Sequence, residues 1–362
     1  MSRDARTGPG RDHGGPAKAA GSDRRSAAAS RAGASGHART SDRRAAAAGS
    51  AGGNGAVDGL VLGPIPPMAR VTGVLLMLAA VVGIAALFPT YLVVGGRDLS
   101  AASGFGSVLV ALLVPLTHLA VGVGLVRGAV PKFGMAYAGV AGALAVGLLL
   151  IEIYRGSSST TRPGVEVIAG ERVLTSSVDV GAGWTLGVAA LALAVLAGVA
   201  AVVGWGRTVM EDGGALDPVR SGLAGAAVLL GVATVLCLAL PAADVPDQLV
   251  TDPATGLETV VTTEGPQALL ERPGLALLGG LLLAGAVLLC SVVAPSLRPR
   301  LAAVGGLLAI SVAVLAAGLT GLRDAVSSAD LDWTVPGAGL VLTGLGYALL
   351  TGLAWRLRRT RA

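Results

Sequence analysis

The chain has 362 residues, of which 53% are hydrophobic, 14% charged and 3% aromatic, and its mean hydropathy is +0.73. So little charge on so apolar a chain excludes a water-soluble globular fold. The formal net charge of +5 sits in the first 60 residues, where ten Lys or Arg face five Asp or Glu, while the rest carries seventeen of each; the basic balance gives no reason to expect a nucleic-acid partner.

In chain order, residues 1–67 come first. They are a mixture of Gly, Ala, Ser, Arg and Pro with almost no large apolar side chain before Leu60, too little to offset the entropy of ordering them. A disordered cytoplasmic tail is predicted there. Within it Ser22-Asp23-Arg24-Arg25 recurs as Ser41-Asp42-Arg43-Arg44, a duplication without the apolar content of a structural repeat.

A hydrocarbon core of about 30 Å needs roughly 20 apolar residues in helix. Residues 68–362 offer eight such runs, near 71–94, 105–126, 135–153, 184–203, 221–240, 275–293, 301–319 and 337–355. The predicted fold class is an all-α membrane protein, an eight-span transmembrane helix bundle, with small β-hairpins in two outer loops. Trp184 and Trp205 stand about 31 Å apart in a helix, the separation of two interfacial belts. Small residues recur every fourth position, as in Gly139, Ala143 and Gly147, which predicts close helix packing.

Orientation follows from the basic residues of the short loops, which resist translocation. Arg127 and Lys132 follow the second run, Arg207 and Arg220 the fourth, Arg298 and Arg300 the sixth, and Arg356, Arg358, Arg359 and Arg361 the last. All fall on one side, so both termini are expected in the cytoplasm. The preference for Arg over Lys, with abundant Ala, Gly and Val, is what GC-rich coding produces, and the setting expected is a bacterial plasma membrane.

Two long loops lie on the opposite side. One contains Val165-Glu166-Val167-Ile168 and Arg172-Val173-Leu174-Thr175 around Ala169-Gly170. The other contains Leu249-Val250-Thr251 and residues 257–263 around Asp252-Pro253. Each reads as a hairpin. A lone hairpin is marginal in water, so the two are expected to pair into one small sheet.

Chemistry is sparse. The three histidines are His13, His37 and His118, and no ionisable acid or base other than His118 falls near the middle of a run. Glu152 lies about one turn from the end of the third run with Arg155 at i+3, an arrangement that predicts an interfacial ion pair. The midplane feature is Pro115-Leu116-Thr117-His118. Pro115 removes a backbone donor and frees the carbonyl of Ala111, so Pro115, Thr117 and His118 form a candidate ligand site or hinge; an imidazole that simply satisfies a neighbouring carbonyl explains the same residues. One histidine is too few for a metal or haem site, and no phosphate-binding Gly-rich loop ending in Gly-Lys occurs, so no metal, cofactor or catalytic residue is assigned. Cys237 and Cys290 are expected near opposite ends of adjacent spans, too far apart for a disulfide.

Besides the lipid bilayer, the expected partner is an unidentified protein. The expected role is that of a non-catalytic accessory or assembly protein contacting it through outer loops or tail. The alternative is a carrier or channel for an uncharged or lipophilic solute, with the Pro115 kink as hinge.

Overall fold

Each apolar run folds as a helix in the computed structural model, which describes residues 60–62, 66–102, 104–157, 165–168, 171–174, 177–212, 217–246, 248–251, 258–261, 268, 273–327 and 331–357. The helices are α1 (Pro67–Ala85), α2 (Phe105–Arg127), α3 (Pro131–Arg155), α4 (Ala182–Trp205), α5 (Asp217–Leu238), α6 (Gly274–Val293), α7 (Arg300–Ser327) and α8 (Val335–Arg356). All eight are long and apolar enough to cross a membrane, and the fold is an all-α bundle with a few small strands. Helix is what lipid demands, because it satisfies every backbone donor and acceptor within the segment. Proline opens α1, α3 and α8, where its missing N–H costs nothing, and a left-handed Gly128 closes α2.

The strands are β1 (Leu60–Leu62), β2 (Thr90–Val94), β3 (Arg97–Ser100), β4 (Val165–Ile168), β5 (Glu171–Leu174), β6 (Val178–Val180), β7 (Met210–Asp212), β8 (Ala243–Asp244), β9 (Gln248–Thr251), β10 (Glu258–Val261) and β11 (Asp332–Trp333). They change three expectations. The first run reaches Val94, but α1 stops at Ala85 and the residues after Pro89 turn back as β2 and β3, across Gly95 and Gly96 with φ of 57° and 78°. Those left-handed angles suit a two-residue hairpin turn, and hydropathy alone does not separate an apolar strand from a helix end.

The two expected hairpins do form, β4 with β5 and β9 with β10. Instead of joining each other, each stands as its own two-stranded sheet. The strands that reach across are others: β6 pairs with β2, and β11 with β8. These pairings hold the start of α4 and α8 against the end of α1 and α5. Finally, Leu60–Leu62 pairs with Met210–Asp212, so the last residues of the expected tail belong with the bundle. Residues 1–59, with the duplicated Ser-Asp-Arg-Arg, lie outside those described.

Helix packing follows a repeated plan. In the first half α1 packs on α2 and α4, and α3 on α4; in the second α5 packs on α6 and α8, and α7 on α8. Adding four to each helix number converts one set into the other. The strand pairs obey the same rule, since β2 and β8 follow α1 and α5, while β6 and β11 precede α4 and α8. The halves meet through α3 on α7, with α3 also on α6 and α7 on α2. Consistent with that central position, α3 and α7 are the most buried spans, at 61% and 72%.

The sequence carries an echo of the plan. Pro66 and Pro89 flank α1 with the same 23-residue spacing that separates Pro218, in the first turn of α5, from Pro241 beyond its end. Pro131-Lys132 precedes Arg155 by the same 24 residues that separate Pro299-Arg300 from Arg323.

Small residues set the closest crossings. A Cβ on Gly142 of α3 would come 2.7 Å from the Gly198 Cα of α4, and one on Gly147 would come 2.6 Å from the Gly279 carbonyl oxygen of α6. Neither glycine can be replaced without moving a helix. Gly139, from the same predicted stripe, faces open space.

Candidate functional site

A cavity of about 610 Å³ lies between the halves, walled chiefly by α3 and α7. Ala141, Leu144, Ala145, Leu148, Glu152 and Arg155 line it from α3; the residues 168 positions later, Ala309, Val312, Ala313, Ala316, Thr320 and Arg323, line it from α7. On each helix these fall at i, i+3, i+4, i+7, i+11 and i+14, one continuous face. The volume is in the range of cavities that hold a small molecule.

Polar groups gather at its two ends. Tyr91 on β2 and Glu152, Arg155, Arg323 and Asp324 on the helices stand at the end facing β2 and β8. The Tyr91 hydroxyl donates to Glu152 Oε1 at 2.5 Å, and Arg155 Nη1 donates to Glu152 Oε2 at 3.2 Å, the i+3 pair expected from sequence. The indole N–H of Trp184 donates to the Glu152 carbonyl at 2.8 Å and fixes the start of α4 there. Burial holds the Tyr91 phenol well above its usual range, so it stays a neutral donor to the carboxylate. Arg323 grips Asp324 Oδ1 and also donates from Nη1 to the Ala101 carbonyl at 3.3 Å, tying α7 to the segment between β3 and α2.

The other end is formed by His118 of α2 and Tyr137 of α3, whose rings meet edge to face at 5.5 Å. His118 Nδ1 is 2.9 Å from the Val114 carbonyl oxygen. Thr117 Oγ1 reaches the carbonyls of Leu113 and Val114 at 3.0 and 2.8 Å, and Tyr137 Oη donates to Thr117 Oγ1 at 3.1 Å. From Tyr137 to Glu152 is fifteen residues of helix, so the two polar ends stand about 22 Å apart. The wall between them carries no charged side chain.

Of the residues singled out by sequence, His118, Glu152 and Arg155 therefore face one cavity, although nothing in their spacing joins them. Thr117 stands behind His118 as a hydrogen-bond partner of Tyr137. Pro115 sits within a continuous α2 with its ring toward Gly83 of α1, outside the cavity wall, and the Thr117 and His118 bonds go to Leu113 and Val114 instead of the freed Ala111 carbonyl. Sequence reading missed Tyr91, Tyr137, Arg323 and Asp324. The matched Pro-to-Arg spacing of α3 and α7 is the signal that could have exposed Arg323.

Among the described residues no three His, Cys, Asp or Glu side chains come together as a metal site. Comparison of the chain with family models, with curated proteins and with solved structures returns no match.

Proposed function

We propose that this protein is a non-catalytic carrier that binds an uncharged, lipophilic solute in the cavity between its halves. The observation carrying this reading is the cavity itself, with an apolar wall about 22 Å long and polar groups only at its ends. An apolar solute gains by leaving water for such a wall, whereas a charged one would lose hydration without a countercharge along it. An accessory or assembly role through the outer loops or tail needs no internal cavity, which is why the carrier reading takes precedence. The repeated halves meeting at α3 and α7 supply two bodies that can shift against each other around a bound solute.

The setting we propose is a bacterial plasma membrane with both termini cytoplasmic, supported by the basic short loops. A reporter active only in the cytoplasm should work when fused after Arg361 and fail when inserted near Asp252. Activity at both places would break this orientation.

Binding is tested by extracting the purified protein with organic solvent and comparing its lipophilic contents with those of Ala313→Trp, which fills the cavity. Wild type should release a compound that Ala313→Trp lacks while both unfold at similar denaturant concentrations. Identical extracts from two folded proteins would end the carrier reading.

A further inference from the structure

The His118 end of the cavity bears on which kind of lipophilic solute it would take, an inference that rests on the carrier reading above. His118 is 7% exposed and contributes to the cavity wall. Its Nδ1 lies 2.9 Å from the Val114 carbonyl oxygen, which can only accept, so Nδ1 must carry the ring proton. The opposite tautomer would set two lone pairs against each other at that distance. Tyr137 Oη also lies 3.1 Å from Nδ1, but a protonated Nδ1 cannot accept, so the phenol proton goes to Thr117 Oγ1 and the threonine proton to a carbonyl of the preceding turn. Every donor of this cluster is thereby directed into protein.

What remains is His118 Nε2. It makes no hydrogen bond to any described residue, and in this tautomer it is a bare acceptor. A second proton there would create a buried cation with no carboxylate at this end of the cavity, since Glu152 and Asp324 stand at the other. The atom is not sealed in protein, so an acceptor on the wall of the cavity is open to a donor carried by a bound molecule.

We propose that His118 Nε2 accepts a hydrogen bond from the hydroxyl of an uncharged lipophilic alcohol or phenol whose apolar body lies along the α3 and α7 wall. The chemistry narrows the ligand in three ways. Ketones, esters and ethers bring only lone pairs to a lone pair. An alkylammonium brings a charge that no carboxylate meets at this end. A carboxylate or phosphate brings an anion to an acceptor, with Arg155 and Arg323 about 22 Å away.

The test uses the full-length protein in lipid nanodiscs and two radiolabelled probes, 4-octylphenol and octylbenzene, which differ only in the hydroxyl. Because the two partition differently into lipid, the readout is the ratio of their affinities in wild type divided by the same ratio in His118→Leu. That quotient should favour the phenol by about fivefold to tenfold, the net worth of one neutral hydrogen bond. His118→Gln, which restores a carbonyl acceptor, should recover part of the preference. Both variants should unfold at the same denaturant concentration as wild type, separating recognition from folding. A quotient near one overturns the hydroxyl assignment and leaves the carrier reading standing, provided both probes bind wild type and are excluded by Ala313→Trp. Failure of both probes to bind wild type overturns the carrier reading and this inference together.

Discussion

Where α3 carries Glu152, α7 carries Thr320 at the matching position; where α3 carries Tyr137, α7 carries Gly305; and where β2 brings Tyr91 to the cavity, β8 brings Ala243. Among the matched cavity positions, Arg155 and Arg323 are the charged pair that keeps its side chain in both halves, beside the small pairs Ala141 with Ala309 and Ala145 with Ala313. The second half does bury a tyrosine, Tyr347, but its hydroxyl closes on the Ala227 carbonyl at 3.0 Å and on Ser291 Oγ at 2.6 Å, away from the cavity. One helix plan thus serves two purposes. The first half holds polar groups at both ends of the cavity, and the second presents a smooth face of Ala309, Val312, Ala313 and Ala316. On the proposed carrier reading, recognition would come from the departure from symmetry, while symmetry supplies the container.

That contrast can be broken most severely at the helix crossings. Gly142→Leu should destabilise the bundle by at least about 3 kcal/mol, because its side chain would have to enter the Gly198 backbone; Ile310→Leu, the matched position on α7, is a volume-conserving change expected to cost under about 1.5 kcal/mol. Unfolding of micellar protein by denaturant ranks the two, and equal costs would show that close approach is not what holds the first half.

Next in size is Glu152→Leu, at about 2 kcal/mol. The loss comes mainly from the Tyr91 hydroxyl left without its acceptor, since the Arg155 side chain is 47% exposed and its pair with Glu152 is screened. Thr320→Val, which removes only a bond back to the Ala316 carbonyl, should cost under about 1 kcal/mol. Similar costs would erase the proposed asymmetry at this end.

Tyr91→Phe should cost about 1 kcal/mol near neutral pH and should also change the alkaline limb. Burial raises the Tyr91 pKa in the folded protein above its ordinary value near 10. Above pH 10 the unfolded chain therefore releases this proton while the folded chain keeps it. Stability falls as pH rises from 10 through the raised value. Chemical unfolding at pH 8 and pH 11 should show a smaller fall in Tyr91→Phe than in wild type. The smallest effect belongs to His118→Leu, within about 1 kcal/mol of wild type, because the replacement removes a polar group together with its need for a partner. A larger loss would make His118 a structural tie.

Most of the fold was legible because each span is a long apolar run, a property visible in composition alone. The strand at Thr90–Val94 was not, since Leu92, Val93 and Val94 extend the apolar run of α1 and only Pro89 and Gly95-Gly96 mark the change. Glu152 and Arg155 were legible as an i+3 pair, and His118 as the lone imidazole in a span. What could not be read was that His118 and the Glu152–Arg155 pair line opposite ends of one cavity, because helix packing closes that cavity from segments far apart in the chain. The pairing of β6 with β2 was hidden for the same reason: each strand's partner lies beyond an intervening pair of helices.

Each half contains four spans, an even number, so its entry and exit lie on the same side of the membrane. The order in which the halves are joined is then not dictated by their architecture. A circular permutant that starts at Asp217, runs through α8, and is linked from Arg356 to Pro67 preserves the sidedness of every helix. So does a pair of separately expressed halves cut between Asp212 and Asp217.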